Sequence, residues 1–359
     1  MRLTVALAGN QNCGKTTLFN QLTGSRQHVG NFPGVTVEKK EGEVRSNRGI
    51  TVVDLPGIYS LSPYTAEEVV SRDFLVRERP DVILNIVDAT NIERNLYLSL
   101  QLMTLGIPMV LALNMMDEVR SNGGAIDVAA IERELGIFVV PISANKNEGV
   151  AELIERVIDA AGGKSPAGAE GRRRVDFCSG PVHKALHSIT HLVEDASRRA
   201  GFEPRFAATK LIEGDPPMEA SLDLAAADRG IIKRIIKEME GELGTDREAA
   251  IADMRYAFIE KLVRMSVVRK AESREQARSV SIDRVLTHAV LAIPIFVAVM
   301  CAVFWVTFGP VGSFVSDAFS AAIEYVIGVV DTGLASVGVS SWMRSLVVNG
   351  ALAGVGSVL

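Results

Sequence analysis

LTVALAGNQNCGKTTLFNQL, residues 3–22, decides how the amino-terminal part of this chain folds. A mostly apolar run at 3–8 leads into Gly9-Asn10-Gln11-Asn12-Cys13-Gly14-Lys15-Thr16, which fits the phosphate-loop pattern GxxxxGK[ST]. Thr17 and the residues after it carry helical spacing. The order strand, glycine loop, helix is the setting that the pattern requires. Its glycines let successive backbone N–H groups turn toward one anion, and the following helix presents its positive end to the same place. Lys15 is expected to reach the β and γ phosphates of a nucleotide, and the Thr16 hydroxyl to ligate Mg2+. A thiol at a helix N-terminus can be acidified, but Cys13 reads as a small loop residue. The run at 3–8 is too short for a secretion signal and serves as a buried strand.

Outward from this loop, apolar runs recur at 50–53, 82–87, 109–113 and 138–142, each followed by a polar turn and an amphipathic stretch. That alternation predicts an α/β fold, a parallel sheet covered by helices on both faces, with 43–45 as a further edge strand. Three runs end in motifs that belong to the same pocket. Asp54-Leu-Pro56-Gly57 closes the second, where Asp54 can hold Mg2+ through water and the Gly57 N–H can meet a γ phosphate. Asn114-Met115-Met116-Asp117 closes the fourth. A carboxylate at Asp117 accepts two hydrogen bonds from the N1–H and 2-amino group of guanine, donors that adenine lacks. Ser143-Ala144-Asn145 closes the fifth, and the Ala144 N–H can meet the guanine O6. Thr36, in NFPGVTVE, is the natural second Mg2+ ligand. The expected nucleotide contacts are therefore Gly9, Asn10, Asn12, Cys13, Gly14, Lys15, Thr16 and Thr17, then Gly34, Val35 and Thr36, then Asp54, Pro56 and Gly57, and finally Asn114, Met115, Asp117, Ser143, Ala144 and Asn145. Lys15, Thr36 and Gly57 are the expected catalytic groups; Thr16, Thr36 and Asp54 are the expected Mg2+ ligands.

The order and spacing of these motifs resemble the five G-boxes of Ras-like GTPases, which implies GTP and GDP as ligands and GTP hydrolysis as the reaction. Two positions depart from that pattern. Met115 stands where a lysine stem usually packs over the base. Ile58 follows DxxG where Ras places its water-orienting glutamine, so another group must orient the water, and a monovalent cation could stand in for an arginine finger. GNQNCGKTTLFNQLTG, VGNFPGVTVEKKEG, VVDLPGIYSLSPYTAEE and LNMMDE together resemble the bacterial ferrous iron transport protein B family (FeoB) more narrowly. The resemblance implies a Ras-like P-loop GTPase domain, an all-α helical domain and a partial transmembrane helical region. It also implies K+ at Asn12, Fe2+ as the transported ion, and a small accessory protein of the iron-uptake system as partner. The family's usual loop is GNPN; Gln11 replaces the proline.

The rest of the chain fits that order. The expected divisions are a G domain at 1–163, a linker at 164–175 and a helical regulatory domain at 176–270, in which 181–270 carries helical spacing and no strand signal. A basic juxtamembrane segment follows at 271–284. Residues 285–308 run 24 positions without Asp, Glu, Lys or Arg, long enough to cross about 30 Å of hydrocarbon. Arg264, Arg269, Lys270, Arg274, Arg278 and Arg284 precede the run. By the positive-inside rule, residues 1–284 then face the cytoplasm of a bacterial inner membrane. An amphipathic interfacial segment is expected at 309–344 and the start of a further span at 345–359, so the remaining spans would come from elsewhere in the family's membrane part. Lipid and a second copy of the chain are further expected partners. A net charge of −5 gives no support for nucleic acid. The three cysteines, Cys13, Cys178 and Cys301, are too scattered for a disulfide framework. His183, His187 and His191 share one helical stripe, read as a solvated or interdomain face. Asp317, Glu324 and Asp331 share another, read as the polar side of an interfacial helix. Pro294 is expected to kink the span. The alternative to a transporter is a soluble or membrane-tethered regulatory GTPase of the ribosome-assembly or tRNA-modification type.

Overall fold

In the computed structural model, residues 2–24, 27–32, 35–62, 65–166, 177–268, 292–336 and 338–352 are described. The strands are β1 (Leu3–Gly9), β2 (Gln27–Asn31), β3 (Glu38–Val44), β4 (Asn47–Asp54), β5 (Val82–Asp88), β6 (Met109–Asn114), β7 (Ala125–Ile126), β8 (Phe138–Pro141) and β9 (Val267–Val268). A seven-stranded sheet runs β2-β3-β4-β1-β5-β6-β8. From β4 to β8 every neighbouring pair is parallel, whereas β2–β3 and β3–β4 are antiparallel. Every residue of β6 is buried, and all but the last of β5. Central strands covered on both faces need continuous apolar runs, which is why these were visible in sequence. The expected edge strand at 43–45 is longer, as β3, and is not an edge: it lies between β2 and β4. Strand β2 was not expected at all: QHVGN is polar because the edge is exposed.

Helices α1 (Lys15–Thr23), α2 (Ala66–Asp73), α3 (Ile92–Met103), α4 (Met116–Ser121), α5 (Val128–Leu135) and α6 (Val150–Ala161) follow the strands. Helix α2 begins with a reciprocal cap: the Glu68 N–H donates to Thr65 Oγ1 and the Thr65 N–H to Glu68 Oε2, both at 3.2 Å. A second set comprises α7 (Gly180–Leu192), α8 (Glu194–Arg199), α9 (Pro204–Glu213), α10 (Pro216–Ser221), α11 (Ala226–Leu243) and α12 (Arg247–Ser266). Both sets belong to one compact unit spanning Met1–Ala271. One buried apolar cluster joins them. It holds Leu55, Ile58, Leu61, Val70 and Phe74 from the sheet side together with Leu186, Ile189, Phe206, Met218, Ile232 and Ile251 from the helical side. A buried ion pair crosses the same boundary, from Arg72 Nη1 on α2 to Asp215 Oδ2 at 2.5 Å.

The absence of strand expected over 181–270 is corrected by β9. It pairs antiparallel with β7, and the Asp127 N–H donates to the Ser266 carbonyl at 2.7 Å. Two residues are too few to carry a period, so only the partner edge reveals this strand.

The second unit, Glu272–Leu359, is described by itself. Helices α13 (Ala292–Phe308), α14 (Pro310–Ser336) and α15 (Ser341–Ser345) lie in it. Among the described residues one helical stretch, Ala292–Ser336, which α13 and α14 share across Gly309, is long and apolar enough to cross a membrane. The start of the expected span, 285–291, lies outside the described residues. So do 167–175 of the linker, position 176, the basic positions Arg269, Lys270, Arg274, Arg278 and Arg284, and 353–359. Asp331 of the acidic stripe is paired with Arg344 at 2.9 Å.

Candidate nucleotide site

The phosphate loop leaves the carboxyl end of β1, in the centre of the sheet, where parallel strands open a crevice. Gly14 has φ of 90°, and a Cβ there would come within 2.2 Å of Asn114 Nδ2. Only glycine allows that approach, and the approach makes a staple. Asn114 Nδ2 donates to the Cys13 carbonyl at 2.8 Å, while its Oδ1 accepts the Ala144 N–H at 2.9 Å. One buried carboxamide thus ties the phosphate loop to the loop after β8. It also commits the Ala144 N–H, which was expected to be free for guanine O6. Asn12 holds the loop in a left-handed conformation, φ 63°. Cys13 is buried, and that burial pushes its thiol up to about 11, as befits a packing residue. Asn10 is buried beside it, and its Nδ2 finds no partner among the described residues.

The Leu55 N–H donates to the Leu7 carbonyl at 3.0 Å and the Ile58 N–H to the Gly9 carbonyl at 3.2 Å, which hold the loop carrying Pro56 and Gly57 beside the phosphate loop. Lys15 Nζ donates to Asp54 Oδ1 at 2.5 Å. Asp54 is 8% exposed; burial raises its carboxyl above the ordinary value and Lys15 opposes the shift. Ile58 is buried in the core at 3% exposure, so it cannot face a water near the phosphates. Thr16 is exposed at the start of α1, and Thr17 is half-buried. Val35 and Thr36 are exposed on a turn in which the Val35 N–H donates to the Phe32 carbonyl at 3.3 Å, and Phe32 is anchored edge-on against Phe74 at 6.0 Å. Gly34 lies outside the described residues.

At the base end, Ser143 Oγ donates to Asp117 Oδ1 at 2.5 Å and Lys146 Nζ lies 3.1 Å from Asp117 Oδ2. The Ser143 hydroxyl, then Lys146, holds the Asp117 carboxyl down to about 2. It is therefore ionised and oriented, with lone pairs left for a base. Met115 sits in the left-handed region at φ 63°, which starts α4 and turns Asp117 toward Ser143. Asn145 is exposed at the same rim. Lys146 was not singled out in the sequence, although it follows Ser-Ala-Asn directly. The structure brings the phosphate loop, the loop after β4, the turn after β6 and the loop after β8 to one end of the sheet.

The other titratable clusters lie elsewhere. The His187 and His191 rings stack edge-on at 4.6 Å along α7, and His191 Nδ1 is 3.8 Å from Glu194. Among the described residues no group of three His, Cys, Asp or Glu side chains could hold a metal ion.

Comparison with known proteins agrees with this geometry. A family model described as ferrous iron transport protein B matches residues 3–157, and one described as the FeoB cytosolic helical domain matches residues 179–268. The Fe(2+) transporter FeoB of Methanocaldococcus jannaschii is 38% identical over 359 residues, covering 99% of this chain and 51% of that protein. An Fe(2+) transport protein A/Fe(2+) transporter FeoB fusion protein of Porphyromonas gingivalis is 36% identical, covering 99% of this chain and 42% of that protein. The chain thus spans about half the length of the relatives it matches. Among solved structures, NFeoB from S. thermophilus bound to GDP.AlF4- and K+ is 41% identical with a TM-score of 0.65, covering 74% of this chain and 100% of that one. A GDP-bound mutant of the S. thermophilus FeoB G-domain is 41% identical with a TM-score of 0.69, covering 75% and 100%. Fold, site geometry and these likenesses converge: the chain belongs to the ferrous iron transport protein B family.

Proposed function

We propose that residues 1–268 bind and hydrolyse GTP, and that this cycle gates Fe2+ passage through a membrane part to which 285–359 contributes. The observation that carries the reading is the ionised Asp117, fixed by Ser143 and Lys146, in a pocket that Asn114 ties to the phosphate loop. A guanine base presents two adjacent donors to such a carboxylate. Gly9, Asn10, Asn12, Cys13, Gly14 and Thr17 line the phosphate end, with Val35 on the turn beside it. Lys15 leaves Asp54 for the β and γ phosphates, so the ion pair is exchanged for two better-matched contacts. Thr16, Thr36 and Asp54 present the hard oxygen donors that suit Mg2+, and Asn12 presents a carbonyl oxygen suited to K+. When bound, Mg2+ supplies charge neutralisation at the β and γ oxygens.

Loss of the γ phosphate releases Thr36 and the loop at Gly57. That loop carries Leu55, Ile58 and Leu61, which share a core with the helical bundle, and α2 carries Arg72, which pairs with Asp215. Packed cores move between discrete arrangements, so a change at Gly57 is passed on to α9 and α10. The proposed setting is the bacterial inner membrane with 1–284 in the cytoplasm. The proposed partners are the family's remaining spans, lipid, a second copy of the chain, and a small accessory protein of the kind fused to the P. gingivalis relative.

Turnover of GTP and ATP by the purified chain tests the first half of the reading. Turnover of GTP but not ATP, abolished by Lys15→Ala, is expected; equal use of ATP would overturn it. Iron uptake by an iron-starved host carrying residues 1–359 together with a complete membrane part of the family, compared with its Lys15→Ala form, tests the second half.

A further inference from the structure

Hydrolysis requires a water held in line behind the γ phosphate. The residue after Gly57 is Ile58, buried at 3% exposure with its N–H spent on the Gly9 carbonyl. Several polar groups among the described residues after Gly57 are engaged elsewhere. The Ser60 hydroxyl is bonded to Ser62 at 3.0 Å and to Gln101 at 3.3 Å. Glu68 is locked in its cap with Thr65, and the Tyr59 ring lies under Arg94 at 4.5 Å.

The facing wall of the cleft is Gln11. A Cβ on Gly57 would meet Gln11 Cγ at 3.1 Å and its Cα and N at 3.3 Å, so the two backbones are in contact. Gln11 Nε2 approaches the Gly57 carbonyl oxygen at 3.5 Å, the outer edge of a hydrogen bond. The side chain is exposed, and its Oε1 has no protein partner among the described residues. A carboxamide carries a donor and an acceptor on one rigid plane, the equipment needed to fix a water's direction. The proline usual at this place in the family has neither.

We propose that Gln11 is the positioning residue for the attacking water, accepting a hydrogen bond from it through Oε1 while Nε2 leans on the Gly57 carbonyl. This rests on the hydrolysis reading above. In the step itself the water oxygen forms a bond to the γ phosphorus while the bond from phosphorus to the β–γ bridging oxygen breaks. The electron pair stays on the departing GDP, and the water's protons end on the released phosphate and in solvent. Gln11 gains and loses no proton. The phosphate loop then supplies from its second variable position what the loop after Gly57 lacks.

The test is steady-state GTP turnover by the purified chain with Mg2+ and K+, comparing wild type with Gln11→Met, Gln11→Ala and Glu67→Ala. Affinities for GDP and for GDP with aluminium fluoride are measured alongside. Methionine keeps the length and removes both polar atoms. The Gln11 variants are expected to lose about tenfold to a hundredfold in kcat. Their KM and GDP affinity should stay within about threefold, and the aluminium fluoride complex should weaken by a factor similar to the loss in kcat. Glu67→Ala should stay within about twofold of wild type. Turnover by Gln11→Met within about twofold of wild type would overturn the proposal, as would an equal loss of GDP affinity and kcat, which marks a merely structural role. Absence of turnover by wild type would overturn the hydrolysis reading and this proposal together.

Discussion

Replacing Arg72 by methionine removes one half of a buried ion pair that joins the sheet side of the molecule to its helical side. The side chains are 8% and 3% exposed and meet at 2.5 Å. Breaking such a pair costs about 3–5 kcal/mol, because the remaining charge is buried without compensation. Two details place Arg72→Met at the lower end. Methionine fills similar volume, so no cavity opens. Asp215 also keeps the Met218 N–H, which it accepts at 3.0 Å as the cap of α10. The expected loss is therefore about 3 kcal/mol, roughly a hundredfold in the unfolding equilibrium. Adding Asp215→Asn should recover most of it: the amide still caps the helix, and no unpaired charge is left. The double variant should lie within about 1 kcal/mol of wild type. Urea unfolding of residues 1–268, followed by circular dichroism, measures all three proteins. A loss below about 1 kcal/mol for Arg72→Met would refute the reasoning, as would a double variant no better than the single one.

Other expectations follow from the site. Gly14→Ala puts a methyl into the space of Asn114 Nδ2 at positive φ, so GTP binding by calorimetry should fall by at least about tenfold, with the protein still folded. Asp117 has a folded-state carboxyl lowered to about 2 from 3.8. A lowered acid contributes stability that is complete above about pH 4 and lost as pH falls toward 2, so its contribution to guanine affinity should be flat from pH 5 to 8; a step in that contribution there would contradict the assigned environment. Cys13, raised to about 11, should resist alkylation by iodoacetamide at pH 7.5 in the folded protein. Ile58→Gln should not raise turnover and should cost about 2–4 kcal/mol in urea unfolding, because the carboxamide enters the core instead of the nucleotide cleft.

The central strands and the four loops of the site were legible in sequence because each combines a local period with a local motif. LTVALAG before GNQNCGKT, or PMVLALN before MMD, announces both a buried strand and what lies at its end. Residues whose meaning depends on a distant partner were not legible. Arg72 looks like one more charge on an amphipathic helix; only the fold brings it to Asp215, 143 positions away. Lys146 looks like a surface lysine until the loop after β8 curls beside Asp117. Strand β2 is polar because it is an edge, and β9 is two residues long. The aliphatic face of α7 was seen, but not that it packs into the same core as Ile58. Ile58 itself was recognised as a departure in chemistry; its burial supplies the physical reason.

The pairing of β7 with β9 sets where a load would fall. Val267–Val268, the last described residues of the first compact unit, are zipped to the segment that follows Asn114-Met115-Met116-Asp117 by way of α4. A pull on the chain beyond Val268 would therefore be met first by a two-residue ribbon. A grip that short slips at small force, so the ribbon would give way while the parallel sheet of five strands stays whole.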